Sequence, residues 1–480
     1  MAVENKTILR DDDVTNQRRH LDDGVGGASS PDDDAKQQQQ QQQQPPPPPP
    51  LTRDARPESP DRQLDPEQSD DAYDVYKSPA PDGGLTAWLA LLSSWCMLFC
   101  TFGMINCIGT FQGYYQEVYL REYSPSVVSW IPSLQIFIAY ATNPFTGRLY
   151  DVYGPRVLVM VGTVLEVLGL MTTSLATRYY QILLAQGLCT SLGMSALYVP
   201  ATALVASWFD RRRGLAYGLA TSGSSFGGVV LPVLIARLVP RVGFPWALRC
   251  AAFLILALLL VANATVRSRL PPSPRPLSRR VLAAPFLDAK LMLVNVGFLL
   301  MTLGVFIPIN YMVVEARRQH GMAEALSHYL VATMNAGSLV GRVGAGLVAD
   351  WVGAYNTFVA VSALAGVLVL ALYIPAASGA AVLAFSVLFG CTSGAYIALL
   401  APLVVKISPL EESGYRIGLL FALSSVSGLV TSPIGGAILE RWGGDYTGMK
   451  IYSGIMMLSG AALVFISRMM ATKWKMNAIF

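Results

Sequence analysis

Asn335, Ser338 and Arg342 stand at i, i+3 and i+7 in an apolar stretch, residues 324–348, that reads as a membrane-spanning helix. That spacing puts an amide, a hydroxyl and a guanidinium on one helix face. A charge in hydrocarbon costs roughly 2.5–3.5 kcal/mol on insertion scales, so such a side chain faces a cavity or a partner. Asp350 marks the polar end of the stretch. At about 1.5 Å per residue, Arg342 lies about 12 Å inward of it, near the middle of a ~30 Å core. A planar guanidinium there can fork onto a carboxylate, which suits an anionic or polar solute. The competing reading is an arginine satisfied by carbonyls of a neighbouring helix.

Other polar residues sit in apolar runs. Asn106 and Thr110 share a face of the first run. They can bind solute or bridge helices, as membrane asparagines often do. Asn310 and Tyr311, also candidates for binding solute, follow Pro308, a kink site suited to gating. Glu166 lies near mid-membrane in the third run. It is a candidate for proton coupling, against the alternative of a protonated carboxyl that only packs.

The elements that must position these residues are long apolar helices. Hydrophobic residues make up 53% of the 480 and charged residues 14%, where a soluble chain carries about 25% charged. Mean hydropathy is +0.43. Twelve runs are long enough to span: 85–110, 126–149, 156–177, 180–207, 214–238, 245–266, 291–314, 324–348, 355–377, 379–405, 414–438 and 449–470. They exceed barrel strands in length and lack alternation, so an all-α membrane protein of twelve transmembrane helices is expected.

The chain also repeats itself. Gly147-x-x-x-Asp151-x-x-Gly154 recurs as Gly346-x-x-x-Asp350-x-x-Gly353, 199 residues on. Cys189-Thr190-Ser191 recurs at Cys391-Thr392-Ser393, and Gly214-x-x-x-Gly218 with Ser224-Ser225 at Gly414-x-x-x-Gly418 with Ser424-Ser425. The expected plan is two pseudo-symmetric six-helix bundles, 85–266 and 291–470, joined by a cytoplasmic loop, 267–290, and ending in a cytoplasmic tail, 471–480. Such halves place a solute site near the midplane between them. The Gly-x-x-x-Asp turns allow close helix approach. Asp151 and Asp350 are expected to cap the next helix or to pair with cytoplasmic arginines, Arg148, Arg211 and Arg212 among them, so latching the inner gate with Gly147 and Gly346.

Residues 1–84 hold nine Lys/Arg against eighteen Asp/Glu, and the remainder 26 against 13, so an acidic tail precedes a basic membrane region. The tail also carries Gln37 to Gln44 and Pro45 to Pro50. Its composition cannot bury enough apolar surface to fold, and its proline run suits a proline-binding partner. With the N-terminus inside, sixteen Lys/Arg fall on the cytoplasmic side and nine, Lys450 among them, outside. Both termini are therefore expected in the cytoplasm, and the protein in the plasma membrane.

Several classes are disfavoured. There is no basic arm with interleaved aromatics for nucleic acid and no Walker loop. Three histidines without ligand spacing and six cysteines without a Cys-x-x-Cys pair indicate no metal and no cofactor. No acid pair or nucleophile–base set at one depth indicates an enzyme. A secondary transporter remains, with a transceptor as the reading from another class.

Gly147-Arg148-Leu149-Tyr150-Asp151-Val152-Tyr153-Gly154-Pro155-Arg156 resembles the signature loop of the major facilitator superfamily, with Val152 where a basic residue is usual. Asp82-Gly83-Gly84-Leu85-Thr86-Ala87-Trp88, the segment Trp208 to Gly223, and Phe306-Ile307-Pro308-x-x-Tyr311 are similar to helix 1, 5 and 7 motifs of its monocarboxylate porter family, especially fungal members. The resemblance implies movement of small carboxylates by alternating access, or export of a biosynthetic metabolite. It puts Arg342 at the family's substrate arginine. It puts Asn106 and Ser338 where animal members carry Lys and Asp, so proton coupling through those positions is not implied.

Overall fold

The computed structural model describes residues 78–271 and 279–480. Nine continuous helices among them are long and apolar enough to cross a membrane. One, Arg213–Thr265, runs for 53 residues and turns back at Gly243, whose φ of +80° breaks the helical path and leaves two crossings. The paired segments Trp130–Ala141 and Asn143–Tyr153, and the helix Glu324–Val352, complete twelve.

In chain order, α1 is Leu85–Asn106, continued by Ile108–Tyr114 and a π-helical turn, Tyr115–Tyr119. α2 is the pair just named, α3 is Pro155–Thr173 and α4 is Tyr179–Trp208. α5 and α6 occupy 213–242 and 244–265. After a short helix, Arg279–Leu287, come α7 (Ala289–Arg318), α8 (Glu324–Val352), α9 (Ala354–Tyr373) and α10 (Gly379–Lys406). α11 (Ser413–Arg441) and α12 (Thr447–Ala471) close the chain. α1 thus runs several residues beyond its sequence-predicted end, because the apolar-to-polar change after 110 does not break the backbone ladder.

Local chemistry explains the ends. Gly154 and Gly353 take φ of +76° and +101°, a region that suits glycine, and turn α2 into α3 and α8 into α9 at equivalent places. Pro155 then opens α3, where its missing N–H would be unpaired anyway. Asp288 caps α7 by accepting from the Lys290 and Leu291 amides. The helices α1–α6 and α7–α12 form two six-helix bundles. α5 packs on α8 and α2 on α11 across the boundary between them.

Not every cation in the orientation count is a loop charge. Lys450, Arg416 and Arg468 are 4–7% exposed. Arg416 bridges Asp288 and Glu412, and Arg468 bonds carbonyls of the 476–478 segment. The acidic, Gln- and Pro-rich tail and its expected proline-binding partner fall on residues 1–77, outside the described residues.

Candidate functional site

α8 presents Arg342 to the boundary with α5. Its Nε donates to Ser338 Oγ at 3.0 Å and its Nη1 to the Thr221 carbonyl of α5 at 3.3 Å. Ser338 in turn meets Ser225 of α5 at 3.1 Å. The arginine is 7% exposed, yet no carboxylate pairs with it among the described residues. One helical turn or two away, Asn335 Nδ2 donates to Asn106 Oδ1 of α1 at 3.3 Å. Gly228 of α5 faces this amide pair, and a Cβ there would lie 2.8 Å from Asn335 Oδ1. Asn106, Asn335, Ser338 and Arg342 are thus brought together between the two halves.

An aromatic wall surrounds the guanidinium. Tyr140 of α2, Tyr198 of α4 and Tyr396 of α10 all lie within electrostatic range of Arg342. Phe421 of α11 packs edge-on against Tyr140, Tyr198 and Phe298 at 4.6–5.3 Å between centroids. Phe102 of α1 adds a further edge contact to Tyr198 at 5.5 Å. Tyrosines from three further helices therefore lie near the buried cation, with Phe421, Phe298 and Phe102 packed around them. None of these rings was singled out in the sequence. A tyrosine in the interior of an otherwise apolar run was the available signal, since its hydroxyl needs a partner when buried.

One end of the boundary is closed by two matching contacts. Asp151, at the end of α2, accepts from the amides of Gly414 and Tyr415 at 3.0 and 2.9 Å. Asp350, at the end of α8, accepts from those of Gly214 and Leu215 at 2.6 and 3.0 Å. Each carboxylate caps the first turn of a helix of the opposite half, α11 or α5. Of the two expected roles, capping the next helix and pairing with cytoplasmic arginines, the first is corrected: α3 and α9 each begin behind a positive-φ glycine, and the carboxylates cap helices of the other half instead. Bare backbones make the approach possible, because a Cβ on Gly147 would collide with the Gly414 carbonyl and one on Gly346 with that of Gly214. Arg148 and Arg212 lie within electrostatic range of Asp151 and Asp350. Asp82, just before α1, holds the same corner by accepting from the Asp210, Arg211 and Arg212 amides at 2.8–3.2 Å.

The remaining candidates stand apart from Arg342. Asn310 and Tyr311, beyond Pro308 on α7, bond to Ser432 of α11 at 3.2 and 2.9 Å, toward the end opposite the latches. Glu166 is fully buried inside the first half, with its backbone against Gly193 of α4 and neither carboxylate oxygen hydrogen-bonded.

Comparison with known proteins fits this architecture. A family model described as Major Facilitator Superfamily matches residues 87–414 and 294–477. An MFS transporter of Aspergillus flavus is 49% identical over 415 residues, 86% of this chain and 93% of the relative. The fujikurins efflux protein of Gibberella fujikuroi is 43% identical over 89% of this chain and 91% of its own length. The agnestins efflux protein of Paecilomyces divaricatus is 37% identical over 82% and 90%. Among solved structures, the transporter FucP in the outward conformation aligns with a TM-score of 0.64 at 14% identity, covering 79% of this chain and 98% of FucP.

Proposed function

Because the chain belongs to the major facilitator superfamily, we propose that it exports an organic anion made by biosynthesis, with Arg342 as the group that neutralises it. One observation carries this reading: a guanidinium 7% exposed, with no counter-carboxylate among the described residues, between the two halves. A buried charge calls for a partner, and here a solute carboxylate or acidic enol can supply it. Asn106, Asn335 and Ser338 offer amide and hydroxyl groups for its polar edge, and the tyrosines offer faces for its body. Relatives named as efflux proteins support export over uptake. The motifs favour the monocarboxylate porter branch, with the small-carboxylate solute as the second reading.

The mechanism follows from charge and contact. With the Asp151 and Asp350 latches made, the cavity faces away from that end. Loading of solute from that end requires the latches to part and the halves to rock about Arg342; release follows at the opposite end once the latches re-form. Asn310 and Tyr311 line the α7 segment that moves at the opposite end. Both termini in the cytoplasm make the latched end the inner one, in the plasma membrane. Coupling is weak or absent, since Asn106 and Ser338 are neutral and Glu166 lies off the Arg342 site.

Metabolite profiling of cells and medium from a deletion strain and its parent tests the reading. The anion carried should rise inside the deletion strain and fall outside. Unchanged pools of every anionic metabolite would reject export. The anion so found should then stabilise the purified protein thermally but not its Arg342→Ala variant.

A further inference from the structure

Away from Arg342, the far end of the second half buries another set of charges. Glu315 of α7 is 1% exposed. Its carboxylate pairs with the Lys450 ammonium of α12 and accepts from the Tyr373 hydroxyl of α9. Lys450 also donates to the Tyr373 carbonyl at 3.0 Å and sits 4.3 Å from the centroid of that ring, which stacks on Phe385 of α10. His320, in the turn after α7, brings Nε2 to 3.6 Å from Glu315 Oε1, and this nitrogen makes no hydrogen bond. Gly321, at φ +59°, turns the chain there, and the Met322 amide closes it on the Ala316 carbonyl at 3.0 Å.

Other charges face the cluster. Asp445, between α11 and α12, lies in electrostatic range of Lys450 and bonds the Gln319 side chain. Tyr446 lies beside Tyr373. Arg317 and Arg318 are exposed on α7 itself. With His320 neutral, Glu315 and Lys450 balance. With His320 charged, Glu315 gains a second cation, and Asp445 offsets the extra charge from the rim.

The segment this corner holds is the part of α7 beyond Pro308. Pro308 removes a ladder hydrogen bond and lets the helix hinge. Beyond it lie Asn310 and Tyr311, then Glu315 two turns on. A buried ion pair is weak warrant for stability alone, and its best-attested use is to fix register or to switch.

We propose that this corner is a proton-responsive anchor for the end of α7. Protonated His320 clamps residues 309–318 to α9 and α12 through Glu315. Neutral His320 leaves Lys450 as the sole cation on Glu315, and the segment swings more freely. A protonated imidazole is a cation facing Glu315, so acidification at this end favours the clamped form. The inference holds whatever the solute is.

Hydrogen exchange of the full-length protein in detergent, at about pH 5.5 and about pH 7.5 and corrected for intrinsic rates, tests it without any ligand. Peptides spanning 309–322 should exchange about three-fold or more slowly at the lower pH. His320→Gln should abolish the difference. Lys450→Met should speed exchange at both pH values while keeping their ratio. If that variant shows no melting transition, Glu315→Gln replaces it and should speed exchange and flatten the ratio. No pH effect in the parent, or the same effect in His320→Gln, overturns the proposal.

Discussion

Asp350→Asn should loosen the latched end by a calculable amount. The aspartate accepts from two α5 amides, Gly214 and Leu215, at 2.6 and 3.0 Å, with one oxygen for each. Asparagine keeps the shape but only one acceptor, and it carries no charge. A hydrogen bond to a charged group contributes about 1.5–3 kcal/mol, so the closed arrangement loses roughly that much. The closed-to-open ratio then falls about 10- to 150-fold. A parent closed at roughly 99:1 would drop to somewhere between about 10:1 and near parity. Asp151→Asn, on the Gly414 and Tyr415 amides, should act alike, and the double variant should favour the open state strongly. Spin labels at Val157→Cys and Trp474→Cys, in a background lacking the six native cysteines, read the spacing by double electron–electron resonance. Both positions are exposed, at 53% and 69%. Distance distributions in the double variant that match the parent would refute the latch reasoning, because they would mean the carboxylates do not favour the closed state.

Arg342→Ala should lower affinity for the exported anion by about 30-fold or more, since removing one partner of a buried charge pair costs 2–5 kcal/mol; its melting temperature should stay close to the parent's, and isothermal titration checks the loss. Arg342→Lys should fail nearly as badly, because one ammonium cannot hold Ser338 and Thr221 while also meeting the solute. Gly346→Val should keep the latched end from closing, which the same spin-label pair would show as a longer distance. Glu166→Gln should leave solute exchange unchanged and remove any proton movement that accompanies it, read as pH inside proteoliposomes.

Hydropathy and repetition sufficed for much of this protein. Twelve apolar runs and the 199-residue echo of Gly-x-x-x-Asp are local and periodic, so they survive in one dimension. The Asn335, Ser338 and Arg342 stripe was legible for the same reason: helical spacing alone sets a shared face. Asn106 was a candidate as a polar residue in an apolar run, standing where the family resemblance puts a lysine. What tertiary structure decided were partners distant in the chain. Asp151 finds its amides 263 residues away, in the other half, and no feature around it distinguishes that cap from a local one. Tyr140, Tyr198 and Tyr396 converge on Arg342 because their helices cross there, and a tyrosine inside an apolar run signals a buried hydroxyl without naming its partner. Lys450 looked like a loop charge beside the apolar run of α12. Only the packing of α7, α9 and α12 shows it sealed against Glu315, because burial depends on neighbours in space rather than along the chain.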